Sequence, residues 1–377
     1  MKIIISLYIF LHVSLYAIDS FDYEVTAILH SEVKQMNQKT TTKKDTNSFS
    51  SFYSNLLINY DFNEDISLYL GSKTNSVIYE DKYSNPVNLY RKLSSDEISK
   101  VIASEISINY DNGFFSFSLG RQEIDFDWLH GSIDGVLTML GSDDSYSLRL
   151  FWFNNYTHLQ YNYYAQIKDI NANKGMYGSI LKTNFGATEL SYFNYYVEDL
   201  RNIMGGHFNY IYKNIGFNIS YTSTKALSLA LYDYDEEFFN SSIEFLIAKH
   251  FFELGFSQTG ENGLLATLQM GNFTFGQFYL NNQVDRENAN NGFLKYIYAD
   301  TKWRFELIGG MTKYDNSFIE IQNDMSSYEL DVYLKYNYSN ALSLNLGLMY
   351  MDIYERDPIE VDQRSIIFNV VVNYENY

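Results

Sequence analysis

The sequence predicts an all-β fold, a transmembrane antiparallel β-barrel of about 18 strands within a range of roughly 16–20. Three observations predict it. The first is strict alternation, clearest between Tyr328 and Tyr350. There Tyr328, Leu330, Val332, Leu334, Tyr336 and Tyr338 share one parity, and Glu329, Asp331, Tyr333, Lys335 and Asn337 take the other. Beyond the polar break Ser339-Asn340-Ala341, Leu342, Leu344, Leu346, Leu348 and Tyr350 alternate with Ser343, Asn345, Gly347 and Met349. Successive strand side chains point to opposite faces, so this stretch is a hairpin with one apolar and one polar side. The second observation is composition: 18% of residues are aromatic, with 36 Tyr against 3 Trp, while mean hydropathy is slightly negative. That mixture suits a wall that is polar inside and aromatic outside better than a Leu/Ala-rich core. The third is recurrence of one unit along the chain, an alternating strand of about 9–11 residues followed by a short turn or a longer polar loop.

Taken in order, the chain begins with Lys2 and the apolar run Ile3 to Leu15, too short to cross a bilayer as a helix. With Ala17 before the cut it reads as a secretory signal peptide over 1–17, leaving 18–377 as a single barrel domain. Phe21, Tyr23, Val25, Ala27 and Leu29 then alternate with Asp22, Glu24, Thr26 and His30. A loop from Gln38 to Ser48 leads to Leu56, Ile58, Tyr60 and Phe62, and the turn Asn63-Glu64-Asp65 to Ile66, Leu68 and Leu70. A second loop, Glu80 to Ser99, reaches Ile102, Ile106, Ile108 and Tyr110. Asp111-Asn112-Gly113 is expected to form a type I′ hairpin turn, since Asn-Gly tolerates positive φ. The rhythm continues through Asp143-Asp144 to the last strand, Ile366 to Tyr374. Gln160 to Asn173 and Leu264 to Asn282 are expected to lie in loops, which makes the count eighteen. The final segment, Ser365 to Tyr377, also reads as the signal that a barrel-assembly machinery recognises.

Charge and residue content exclude several functions. The net charge is −19, and loss of Lys2 with the signal peptide makes it −20 (−19 minus one positive charge). Such a chain does not favour nucleic acid, whose phosphates need clustered Lys and Arg. There is no cysteine, so neither disulfides nor thiolate metal sites contribute. The histidines (His12, His30, His130, His158, His207, His250) form no catalytic or metal-binding motif, and no phosphate-binding glycine loop is present. No enzyme activity, metal or cofactor is expected. The partners expected are outer-membrane lipid, lipopolysaccharide and small polar solutes, and an oligomer of such barrels is compatible with the pattern.

Gly120-Arg121-Gln122-Glu123, followed by Asp134-Gly135-Val136, resembles a glycine-arginine-glutamine and aspartate-glycine-valine pair found in two families. These are the OprD-like outer-membrane porins and the alginate-export-type barrels. The resemblance implies eighteen strands, a loop-narrowed pore for small polar solutes, and lumen arginines that guide anionic groups. The acidic excess of this chain points instead to a mild preference for cations. Strict alternation puts Arg121 on the lipid face with Phe117 and Leu119, where a midplane Arg costs roughly 2–4 kcal/mol. A bulge at Gly120 would turn it inward, and snorkelling at the membrane edge is the other solution. Arg149 and Arg304 take the inward parity directly, as do Glu306, Glu329, Asp331 and Lys335. These seven are the candidates for pore lining and constriction; the alternative is an ordinary solvated wall. The function expected is a porin for small hydrophilic solutes. A channel for a dedicated cargo such as a polysaccharide, and a plugged structural or adhesin barrel, are the competing readings.

Overall fold

The structure, a computed structural model, describes residues 22–38, 44–80, 99–126, 129–159, 164–171, 174–227, 235–264, 283–315, 325–354 and 363–376. Residues 1–21, within which the signal peptide is expected, Tyr377 and residues 265–282 lie outside them. The described residues form nineteen strands and no helix. They are β1 (Asp22–Gln38), β2 (Lys44–Asp61), β3 (Ile66–Glu80), β4 (Ser99–Asp111), β5 (Phe115–Phe126), β6 (Leu129–Ser142) and β7 (Tyr146–Leu159). The short β8 (Tyr164–Asp169) precedes β9 (Met176–Phe185), β10 (Thr188–Val197), β11 (Arg201–Tyr212), β12 (Ile215–Ala226) and β13 (Glu236–Ile247). The last six are β14 (His250–Thr259), β15 (Glu287–Ala299), β16 (Trp303–Asp315), β17 (Met325–Asn337), β18 (Leu342–Tyr354) and β19 (Gln363–Asn376).

Neighbours in sequence pair antiparallel, and β1 pairs with β19 from Val25 opposite Asn376 to Gln38 opposite Gln363, so the sheet closes. Closure gives the first and last strands a partner each, which is what a sheet needs in lipid. The wall has eighteen positions because β8 and β9 share one: β9 pairs with β7 from Tyr146 to Phe153, and β8 takes over from Asn155 to Leu159. Part of the stretch expected as loop, 160–173, is therefore strand. It pairs there because β9 leaves the outer third of β7 without a partner.

The short turns after β2, β4, β6, β9, β11, β13, β15 and β17 sit at one end of the barrel with the first and last described residues. The longer connections sit at the other, together with the brief ones after β5 and β10. The turn after β4 departs from the type I′ expectation. Only Gly113 has positive φ (83°), and the wider loop is held by side chains. Asp111 Oδ1 accepts from the Gly113 N–H at 2.7 Å, and Asn112 Oδ1 from Phe115 N–H at 2.8 Å. Such Asx bonds replace the tight two-residue geometry.

Outward residues follow the predicted parity. Leu29, Leu70, Ile108, Leu150, Leu190, Phe217, Leu254, Leu294, Leu348 and Phe368 are exposed on the protein surface, forming the lipid-facing band. Tyr328 and Tyr338 are both exposed, ten residues apart (338 minus 328). At about 3.3 Å per residue and a tilt near 40°, that separation matches an apolar band about 25 Å tall between two aromatic girdles. β1, β2 and β3, at 17, 18 and 15 residues, are longer than the band requires, while β9, β10 and β14 have 10.

The inner face carries a recurrent device. Phe151 lies opposite Gly178, Phe193 opposite Gly205, and Phe293 opposite Gly255. In each pair the ring occupies the space where a Cβ on the glycine would stand. The phenyl group thus lies flat over its neighbour's backbone, an aromatic–glycine pairing that suits a curved wall.

Candidate functional site: the lumen and its infolded hairpin

The ladder between β4 and β5 ends at Ile106 opposite Arg121. β4 nevertheless continues its pairing with β3 as far as Ser99 opposite Ser76, and β5 continues with β6 as far as Phe126 opposite Leu129. The outer part of the β5–β6 hairpin has therefore parted from the wall on the β4 side. Where it has gone is shown by burial. Ile124, Leu129 and Ile133 form one cluster with Phe151, Phe153, Met176, Ile180, Phe193, Tyr195, Val197 and Ile203, the inward residues of β7, β9, β10 and β11. Phe126 stacks on Phe151 with centroids 5.7 Å apart. The hairpin leans into the barrel and lays one apolar face on the inner wall. Burying each large aliphatic side chain contributes about 1.5–3 kcal/mol, so this contact is the principal adhesive.

The opposite face of the hairpin is polar. Arg121 Nε and Nη2 donate to the two carboxylate oxygens of Asp134 at 2.6 and 2.7 Å, and Nη1 donates to the Ala103 carbonyl at 3.1 Å. Asp134 also accepts from Asn155 Nδ2 at 3.1 Å. Two residues on, Glu123 pairs with Lys73 of β3, and the Glu123 N–H donates to Glu105 Oε1 of β4 at 3.3 Å. Polar groups of the hairpin thus look toward the β3–β4 wall while its apolar groups look toward β7–β11.

Two recesses open on the lumen wall. One of about 390 Å³ lies beside the hairpin tip and is lined by Asp125, Phe126, Arg149, Lys182, Glu189 and His207. Arg149 sits 5.6 Å from the Phe126 ring centroid and is paired with Asp143, and Lys182 is 2.9 Å from Glu189. The other, about 360 Å³, is lined by Arg304, Glu306, Tyr333, Lys335, Asn345 and Asn373. There Glu306 bridges Arg304 at 2.9 Å and Lys295 at 3.3 Å, and Lys335 stands directly opposite Arg304 in the ladder. Of the residues predicted from sequence, Arg304, Glu306 and Lys335 are brought together. Arg149 stands apart from them, in the first recess. Glu329 and Asp331 are buried farther along β17, opposite Met351 and Met349.

The geometry has counterparts among solved structures. The crystal structure of OccAB4 from Acinetobacter baumannii superposes with a TM-score of 0.70 at 12% identity, covering 95% of this chain and 99% of that one. OpdK from Pseudomonas aeruginosa, crystallised with vanillate, gives 0.69 at 13%, covering 94% and 98%. A BenF-like porin from Pseudomonas fluorescens Pf-5 gives 0.72 at 11%, covering 94% and 98%. The chain has the fold of these porins. No family model matches the sequence, and no curated protein matches it either. The eighteen-stranded porin fold expected from the glycine-arginine-glutamine stretch is therefore the one observed, reached with almost no identity.

Within that porin fold, sequence reading passed over Lys73, Glu123, Asp125 and Lys182 as lumen groups. The signal was available for some of them. Lys73 keeps the inward parity of β3 once Leu68 and Leu70 are placed outward, and Glu123 and Asp125 follow Arg121 at steps of two. Their grouping was not, because Lys73 and Glu123 are fifty residues apart and meet only through the parting of β4 from β5.

Proposed function

We propose that the protein is an outer-membrane porin that passes small hydrophilic solutes and ions by passive diffusion, with a mild preference for cations. The observation that carries this reading is the closed eighteen-position barrel with a hairpin folded into its lumen. A barrel of this size encloses an aqueous channel rather than a packed core, and an infolded element narrows it. The seven residues expected to line the pore remain proposals for that role, and Arg304, Glu306 and Lys335 form the most compact group among them.

The sign of the preference follows from the charges of the inner wall. Glu24, Glu105, Glu123, Asp125, Glu189, Glu244, Glu253, Glu306, Glu329 and Asp331 face Lys73, Arg149, Lys182, Lys295, Arg304 and Lys335. A low-dielectric wall around a narrow water column focuses the acidic excess and raises the local concentration of cations. Screening over about 10 Å at 0.1 M salt confines the effect to charges near the narrowest section. In planar bilayers the protein is expected to give steady ohmic steps and a zero-current potential on the cation side across a KCl gradient, vanishing at molar salt. Absence of conductance would favour a plugged barrel. Block by one solute class at low concentration would favour a dedicated channel.

A further inference from the structure

We propose that Arg121 is a positioning residue: with Asp134 and the Gly120–Gly135 pair it forms a clasp that fixes the β5–β6 hairpin inside the lumen and so sets the bore of the channel. The inference rests on the porin reading and assigns a cause to the narrowing. Its first support is place. Arg121 occupies the last row at which β5 still pairs with β4. Beyond that row no β4 ladder holds the hairpin on that side; what remains there is the Lys73–Glu123 pair, the bond from the Glu123 N–H to Glu105 and whatever pins the base. The second support is geometry. Nε, Nη1 and Nη2 are all engaged, two on one carboxylate of β6 and the third on a main-chain carbonyl of β4 beyond the end of the ladder. One side chain thereby ties three strands at the point where two of them separate. Asp134 is tied in turn to β7 through Asn155.

The third support is the pair of glycines one row below. Gly120 faces Gly135 across the hairpin. Gly120 adopts φ +121°, and a Cβ there would lie 2.2 Å from the Ile106 carbonyl oxygen; a Cβ on Gly135 would lie 2.0 Å from that of Trp152. The backbone of β5 and β6 therefore presses against both flanking strands at one level, and only glycine fits the bend at Gly120. A bend without a clasp is a hinge. The guanidinium fork converts it into a fixed angle, and its planar bidentate fit to a carboxylate is something an ammonium cannot reproduce.

The test uses the full-length protein in planar bilayers, with heat-modifiable gel mobility reporting barrel formation. Arg121→Ala and Asp134→Ala are expected to form barrels, to raise single-channel conductance roughly twofold as the hairpin swings off the lumen, and to add open-channel flicker. Arg121→Lys keeps the charge but not the fork, and is expected to behave like Arg121→Ala. A residue acting only as a lumen cation would instead be rescued by Lys. The second measurement adds Lys73→Cys and Glu123→Cys to the Arg121→Ala protein, which otherwise has no cysteine. Bridging the two thiols with a short bifunctional reagent is expected to return the conductance and noise toward the parent values. Unchanged conductance in Arg121→Ala, or rescue by Arg121→Lys, overturns the clasp while leaving the porin reading in place. A parent protein that never conducts overturns the porin reading first.

Discussion

Two hairpins of the same barrel behave differently. β17 and β18 stay in the wall with continuous register to each other and to β16 and β19, from one end of the ladder to the other. β5 and β6 keep register with each other but part from β4 halfway up. Both are antiparallel, both are of ordinary strand length, and both alternate. The difference lies in which face is apolar at each height. In β17–β18 the lipid-facing set runs unbroken from Tyr338 to Tyr328 and from Leu342 to Tyr350. In β5–β6 the apolar set changes sides: Phe115, Phe117 and Leu119 serve the lipid, whereas Ile124, Leu129 and Ile133 serve the inner wall. A strand that switches its apolar face cannot remain flat in the sheet, and Gly120 is where the switch is made. Apolar inner-wall residues are thus tolerated where protein covers them.

The comparison is broken most severely by a charge on the regular hairpin's outer face. Leu348→Arg, near the middle of the lipid-facing band, is expected to destabilise the barrel by about 2–4 kcal/mol, measured by reversible denaturant unfolding in lipid. Asn345→Arg, on the inner face of the same strand, is expected to change stability by no more than about 0.5 kcal/mol. Equal effects would mean that the two faces are misassigned.

Next in size is the switch point itself. Gly120→Ala forces a Cβ against the Ile106 carbonyl at positive φ, and is expected to cost about 1–3 kcal/mol. The counterpart is Gly292 on the outer face of β15, where a Cβ would meet nothing within 4 Å. Gly292→Ala is expected to stabilise by about 0.5 kcal/mol through the unfolded chain. If both substitutions cost the same, the bend at Gly120 is not what limits it.

How much of this was legible follows the same division. The β17–β18 hairpin was read in full, because one apolar face over a whole strand is a local signal of period two. The eighteen positions were legible too, since each turn repeated the pattern. Arg121 fell on the lipid face under strict alternation, and its escape through Gly120 could be stated only as a bulge. What the sequence lacked was the destination. The apolar residues of β5–β6 meet not only Phe151 on the adjacent β7 but also Phe193 on β10 and Ile203 on β11, and no short-range pattern records that contact. The grouping of Lys73 with Glu123 was hidden for the same reason.

The smallest expected effect concerns a turn. In the connection between β15 and β16, Asp300 accepts from the Lys302 and Trp303 N–H groups at 2.8 and 2.7 Å. These bonds to backbone donors, that to Trp303 foremost, hold its carboxyl below the usual carboxylate range. The stabilisation is therefore present above the ordinary carboxylate pKa and lost as pH falls through the lower folded value. Asp300→Asn is expected to keep the turn while removing this dependence, and Asp300→Ala to lose both, as read from unfolding at several pH values. A dependence that survives in Asp300→Asn would assign it to another group.

The rings laid over glycines have a consequence for time rather than shape. A backbone amide on the wall of a water-filled tube ought to trade its proton readily, since solvent lies against it. Beneath Phe151, Phe193 and Phe293 the main chain of Gly178, Gly205 and Gly255 is instead roofed by carbon. Those amides are shielded from water on the one side where water is abundant, and their exchange awaits a ring leaving its place or the strand pair opening. The slowest deuterium clocks in the barrel would then tick not in the lipid-facing belt alone, but also along a row of glycines lining the pore.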